Sequence, residues 1–195
     1  MVQLRRAHSV AWLCAIVAWG CSTPEPPAES TVVVVEKELP AVDQAVLDAA
    51  EALEVRNARL PAKNLLTAGQ PDQDQFEALR VAGAQTFVSL RPASESGAGW
   101  EELYAAENGI DFARLPISGS DALTRENVDA FADLMADAGD GPVVLYCGSS
   151  NRVGAMVALK AYWIDGAPPE SALQMGLDAG MTRLEGEVRA LLGLE

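Results

Sequence analysis

GPVVLYCGSSNRVGAM, residues 141–156, passes from strand to loop to helix within sixteen positions. Pro142–Tyr146 is an apolar run bounded by turn residues, which predicts a buried strand. A short Gly/Ser loop follows, and from about Arg152 to Ile164 the chain reads as a long helix. The same alternation repeats outward. Asp72–Val81 predicts a helix with acids in its first turn, where the helix dipole favours them, stopped by Gly83. Gln85–Leu90 predicts a strand, Trp100–Glu107 a helix ending at Gly109, and Ile110–Ile117 a further strand. Thr124 is the expected N-cap of a helix running to Ala138, closed by Gly139 and Gly141. Upstream lie a short run at Leu65-Leu66-Thr67 and helical spacing from Ala41 to about Arg56; Pro169–Leu177 and Thr182–Leu192 are the last two helices expected. Strands alternating with helices predict an α/β fold: a three-layer sandwich with a mainly parallel central sheet flanked by helices. In such sheets sites form beyond the carboxyl ends of the strands.

That rule points to Cys147-Gly148-Ser149-Ser150-Asn151-Arg152, the turn out of the strongest strand. Small residues let the loop curl with its N–H groups facing inward. The following helix N-terminus adds partial positive charge, so the loop is a candidate anion cradle. The same field favours the anionic form of a thiol at the rim, which makes Cys147 the candidate nucleophile. Arg152, one turn on, is placed to grip an anion with two parallel hydrogen bonds. Gly148, Ser149, Ser150 and Asn151 are the candidate substrate-binding residues; the two serines either hydrogen-bond the thiolate or are present for their small size. Trp100, Tyr104, Tyr162 and Trp163 read as core or rim, and Glu101-Glu102 as a solvated face.

Composition narrows the function. The 195 residues carry 14 Lys and Arg against 28 Asp and Glu, a formal charge of −14, which opposes electrostatic capture of nucleic acid. Three cysteines and one histidine are too few for a disulfide framework or a Cys/His zinc site, and no metal or cofactor is implied. Residues 1–20 read as a signal peptide: Arg5 and Arg6 precede the apolar run Val10–Gly20, too short to span a bilayer. Ala18-Trp19-Gly20-Cys21 resembles a lipobox, so Cys21 is the expected lipidated residue and the protein is expected to be anchored in a bacterial cell envelope. A plain secretory signal or an uncleaved anchor is the other reading. Cleavage removes Arg5, Arg6, His8 and Cys14 but no acid, taking the charge from −14 to −16 and leaving no histidine. Catalysis through Ser-His-Asp, Cys-His or a His-bound metal is thereby excluded from the mature chain. Residues 21–38 read as a flexible tether after the lipidated Cys, with Val32–Val35 as its one strand-like piece. Residues 39–59 are expected as an N-terminal helix and 60–195 as the catalytic domain.

Gly141–Met156, together with Ala68-Gly69-Gln70-Pro71, Val88-Ser89-Leu90-Arg91 and Arg114-Leu115-Pro116-Ile117, resembles the beta-lactamase-hydrolase-like phosphatase-like family. That family lies within the wider dual-specificity and tyrosine phosphatase fold, and the resemblance covers about Leu60 to Met181. It implies covalent cysteine chemistry on a small anionic substrate. Tyrosine phosphatases have five residues between Cys and Arg, a His before the Cys and a Ser or Thr after the Arg. Here four residues intervene, Tyr146 precedes and Val153 follows. The shorter spacing is similar to that of rhodanese-type sulfurtransferases, so persulfide transfer is placed ahead of phosphate-ester hydrolysis, with a thiol reductant or acceptor as partner. By the same resemblance Asp121, the only acid on the loop after Ile117, is the candidate general acid; a solvated or capping acid is its other reading. Arg91 either adds positive charge to the site or pairs with Glu95. A lipid-anchored module that binds an anion without turnover is the non-enzymatic alternative.

Overall fold

The computed structural model describes residues 41–194. The signal, Cys21, the tether and Val32–Val35 lie outside the described residues. The chain forms α1 (Ala41–Ala52), β1 (Arg59–Ala62), β2 (Leu65–Gly69), α2 (Gln73–Ala82), β3 (Thr86–Ser89), α3 (Glu101–Asn108), β4 (Asp111–Arg114), α4 (Arg125–Asp137), β5 (Val143–Cys147), α5 (Asn151–Trp163), α6 (Pro169–Asp178) and α7 (Glu185–Leu192). The five strands make one sheet in the order β1-β2-β5-β3-β4, parallel except for the edge strand β1. The α/β sandwich expected from the alternation is the observed fold.

β5 occupies the centre of that sheet and every residue in it is buried. Alternate side chains serve different faces, as strand geometry requires. Val143, Leu145 and Cys147 enter the cluster built with α4 to α7, while Val144 and Tyr146 enter the one built with α1 and α2. On the second face Phe76 stacks on Phe87 at 3.8 Å, with Trp100 and Tyr104 edge-on to Phe76. Val46 and Ala50 carry α1 into this cluster.

Local chemistry sets the element ends. Asp72 caps α2 in a reciprocal capping box with Gln75, and Thr124 accepts the Asn127 N–H at the start of α4. Gly109 ends α3 at φ +63°, a left-handed conformation that favours glycine. Three elements depart from expectation. α1 ends at Ala52, because Glu54 and Asn57 turn into positive φ. β4 stops at Arg114 instead of Ile117, and β1 was not foreseen. A four-residue edge strand containing Pro61 leaves no periodic signature. Among the described residues no helix is long and apolar enough to cross a membrane.

Candidate active site

Because β5 lies between β2 and β3, Cys147 emerges flanked by the carboxyl ends of both: Gly69 is its register partner on β2, and Ser89 pairs with Tyr146. The thiol is 1% exposed. Gly148-Ser149-Ser150 then leads into α5, with Ser150 at φ +64°. Ser150 Oγ donates to the Ala179 carbonyl at 2.7 Å, and Asn151 Oδ1 accepts the N–H groups of Thr182 and Leu184 at 2.8 and 3.2 Å. Both side chains therefore brace the loop against the α6–α7 connection. The Ser150 hydroxyl and Asn151 Oδ1 are taken up by this brace, and Asn151 also lines the cleft beside Arg152. The Asn57 side chain donates to the Ser149 carbonyl at 3.1 Å and the Gly180 carbonyl at 3.3 Å, closing the brace from the other side. Gly180 has no room for a side chain, since a Cβ would stand 2.7 Å from Asn57 Nδ2 and 2.8 Å from Ser150 Cβ.

Arg152 turns back over the loop. Its Nη1 donates to Glu95 Oε1 at 2.6 Å and to the Ile117 carbonyl at 2.7 Å, and Nη2 donates to Glu95 Oε2 at 2.9 Å. Glu95 holds the guanidinium's affinity for its proton above the ordinary value, and the Cys147 sulfur adds to this by charge and hydrogen bonding. Arg91 binds the same carboxylate at 2.8 Å, and also Gln70 Oε1 and the Ser96 carbonyl. Arg91 thus forms the expected pair with Glu95. Glu95 is consequently held at a pKa of about 2, chiefly by the hydrogen bonds from Arg152, then by those from Arg91.

Behind this pair lies a second network. Glu101 is 0% exposed, so the solvated face expected there is corrected. Its carboxylate accepts from Gln70 at 2.9 Å, the Gly99 N–H at 2.7 Å, Arg114 at 3.0 Å and the Tyr146 hydroxyl at 3.4 Å. A buried carboxylate needs such company, because an unpaired charge in the interior is strongly destabilising. Burial, with Glu101 beside it, pushes the Tyr146 hydroxyl well above its ordinary pKa and keeps it a donor. Gln70, from the AGQP segment, touches both networks. Glu95, Glu101, Asn57 and Gln70 carried no periodic or spacing signal as site residues, since the contacts that define them cross up to 123 positions of chain.

Two clefts flank the loop. One, of about 420 Å³, is lined by Glu95, Ser118, Gly119, Arg152, Arg183 and Glu187 among others; the second, of about 440 Å³, by Arg56, Asn57, Ser149, Thr182 and Arg183. Asp121 stands exposed on the 3-10 turn Ser120–Ala122, two residues beyond Gly119, and is not in the lining of either. Among the described residues no group of three or more His, Cys, Asp or Glu side chains is placed to hold a metal ion.

The family model described as "DSP-PTPase phosphatase fused to NAD+ Kinase" (PTP-NADK) matches residues 38–183. Among solved structures, a DUF442 candidate phosphatase from Shewanella putrefaciens is 22% identical, covering 75% of this chain and 98% of its own, at a TM-score of 0.57. A candidate phosphatase from Neisseria meningitidis is 18% identical, covering 67% and 94%, at 0.56. TpbA of P. aeruginosa is 19% identical, covering 69% and 81%, at 0.51. No curated protein is similar enough to match. The phosphatase-like fold expected from the motifs is thus found, and the family whose model matches is PTP-NADK.

Proposed function

The chain belongs to the PTP-NADK family of DSP-PTPase type, and from that membership we propose that it is a cysteine-dependent phosphatase for a small anionic phosphate ester. The thiolate of Cys147 attacks phosphorus; an S–P bond forms as the P–O bond to the leaving group breaks. Arg152 and the loop N–H groups neutralise the charge on the phosphoryl oxygens. The leaving oxygen takes a proton from an acid, for which Asp121 is assigned by its place on the loop after β4. Water then attacks phosphorus, the S–P bond breaks, and phosphate and thiolate are released. The observation that carries this reading is the position of the Arg152 guanidinium, held by Glu95 and the Ile117 carbonyl over Gly148, the residue that follows Cys147.

One observation favours a second chemistry. Four residues separate Cys147 from Arg152, a spacing similar to that of rhodanese-type sulfurtransferases, in which the loop surrounds a cysteine persulfide. There the thiolate attacks the outer sulfur of thiosulfate, forming an S–S bond and expelling sulfite, and an acceptor thiol later removes the sulfur. The two are separated by offering the protein an alkyl phosphate and, in parallel, thiosulfate with a thiol acceptor, beside Cys147→Ser and Asp121→Asn. Phosphatase chemistry predicts phosphate release abolished by Cys147→Ser and slowed about 100-fold by Asp121→Asn. An intact mass gaining one sulfur, with turnover indifferent to Asp121→Asn, would establish sulfur transfer instead. A wild type no better than Cys147→Ser in both assays over a panel of donors leaves only the binding module.

We also propose export and lipidation at Cys21, on the strength of the lipobox-like ending of the apolar run. Radiolabelled palmitate should enter the wild type in cells and be absent from Cys21→Ser; equal labelling of the two refutes the anchor.

A further inference from the structure

The cleft lined by Arg56, Asn57, Ser149, Thr182 and Arg183 touches the anion loop but contains neither Cys147 nor Arg152. We propose that it is a second anion subsite, and that the substrate is a small molecule carrying two phosphate groups: one in the loop under Arg152, the other between Arg56 and Arg183. This rests on the reading of the 147–152 loop as the first anion site.

Charge accounting around the loop is the first support. Arg91 and Arg152 share the carboxylate of Glu95, so these two cations are already half neutralised before any ligand arrives. Arg114 is matched by Glu101 and Glu102. Arg56 and Arg183 differ: among the described residues neither has an acidic partner, although the chain carries two acids for every base. Arg59, whose Nε donates at 2.9 Å to Oδ1 of the cleft residue Asn57, is a third cation with no ion pair among the described residues. In so acidic a molecule, arginines outside any ion pair at one rim form a local positive focus, with Glu187 in the adjoining cleft that Arg183 also lines as its counterweight.

Backbone anchoring is the second support. Arg56 stands on main chain pinned to the end of β2: its carbonyl accepts the Gly69 N–H at 2.6 Å, and Gly69 lacks a Cβ that would stand 2.9 Å from Arg56 Cβ. Its Nη1 reaches the Gly148 carbonyl at 3.4 Å. Arg183 lies between Thr182 and Leu184, whose N–H groups both bond Asn151 Oδ1. Each arginine is therefore carried by a segment tied to the Cys147 loop, so the position of the subsite is coupled to that of the nucleophile. Arg183 also lines the cleft that holds Arg152. The two anion positions are thus continuous across one side chain, which suits one ligand with two charged ends. The guanidinium fork is the side chain best matched to phosphate oxygens.

The test measures binding by calorimetry to full-length Cys147→Ser, which cannot turn over. Orthophosphate and fructose 6-phosphate are compared with pyrophosphate and fructose 1,6-bisphosphate, covering a short and a long separation of charge. At least one two-phosphate probe should bind tighter than its single-phosphate counterpart. Arg56→Ala and Arg183→Ala should each cut that preference about tenfold, the loss of one charge-assisted contact. Lys63→Ala, which removes an equal charge from the β1–β2 turn, should leave the preference unchanged. If orthophosphate binds but neither two-phosphate probe is preferred, or Lys63→Ala lowers the preference as much as the arginine variants do, the subsite is refuted and the loop stands. If no phosphate binds at all, the loop reading falls and the subsite with it.

Discussion

Glu95 receives Arg152 with both carboxylate oxygens and Arg91 with one of them, so a single acid sets the direction of the Arg152 guanidinium. Its pKa of about 2 against an ordinary 4.5 has a defined consequence for stability. A depressed carboxyl contributes stability that is fully present above pH 4.5 and is lost as the pH falls through about 2. With the side chain partly exposed, the contribution at neutral pH is on the order of 1–2 kcal/mol. Glu95→Gln removes the charge at every pH. The melting temperatures of wild type and variant should therefore differ by a constant amount above about pH 5 and converge between 4.5 and 2. A gap that stays flat through that window would show that ionisation of Glu95 does not hold the pair. Cys147 and Arg152 were visible in the sequence because they sit on one short loop between two periodic segments. Glu95 was weighed only as a partner for Arg91, since nothing along the chain links it to Arg152, 57 positions away.

α5 and α6 meet across two glycines, and that contact reaches the 147–152 loop. A Cβ at Gly176 would stand 2.6 Å from the Gly154 carbonyl and 2.8 Å from Ala158 Cβ. Separating the helices displaces the end of α6, where the Ala179 carbonyl holds Ser150 and the chain turns toward Thr182. Gly176→Ala should cost about 1–3 kcal/mol in denaturant titration, from overpacking. Gly186→Ala, with open space around it, should be neutral or gain up to about 1 kcal/mol from helix propensity. Equal stability of the two variants would mean that the close approach is not maintained in solution. The helices themselves were legible to within a few residues, because periodicity and caps are local. Their partners were not: the same apolar stripe on α5 is compatible with any neighbour that covers it. The end of β4 shows the complementary failure, since the apolar alternation continues to Ile117 while strand pairing stops at Arg114.

For the molecule as a whole, a charge of −14 would repel the proposed anionic substrate at long range, while the arginines of the proposed site would attract it at contact. Screening separates the two, because the Debye length falls from about 30 Å at 0.01 M salt to about 10 Å at 0.1 M and about 3 Å at 1 M. The value of kcat/KM for an anionic substrate should rise about twofold or more between 0.01 and 0.1 M as the distant repulsion is screened. It should then fall toward 1 M as the contacts weaken. A monotonic decline would mean that the local positive focus dominates at every range. Composition determined this conflict of fields, just as periodicity determined the alternation of strands and helices and the placing of Cys147 at a strand end. These are properties of neighbours along the chain. The tertiary structure alone decided which cations remain free to meet a ligand. It matched Arg91 and Arg152 with Glu95, buried Glu101 against Arg114 and Tyr146, and left Arg56 and Arg183 with no ion pair among the described residues. The reason is physical: a charge is cancelled by what lies within a few ångströms in space, and sequence order does not encode that distance once the sheet has brought remote segments together.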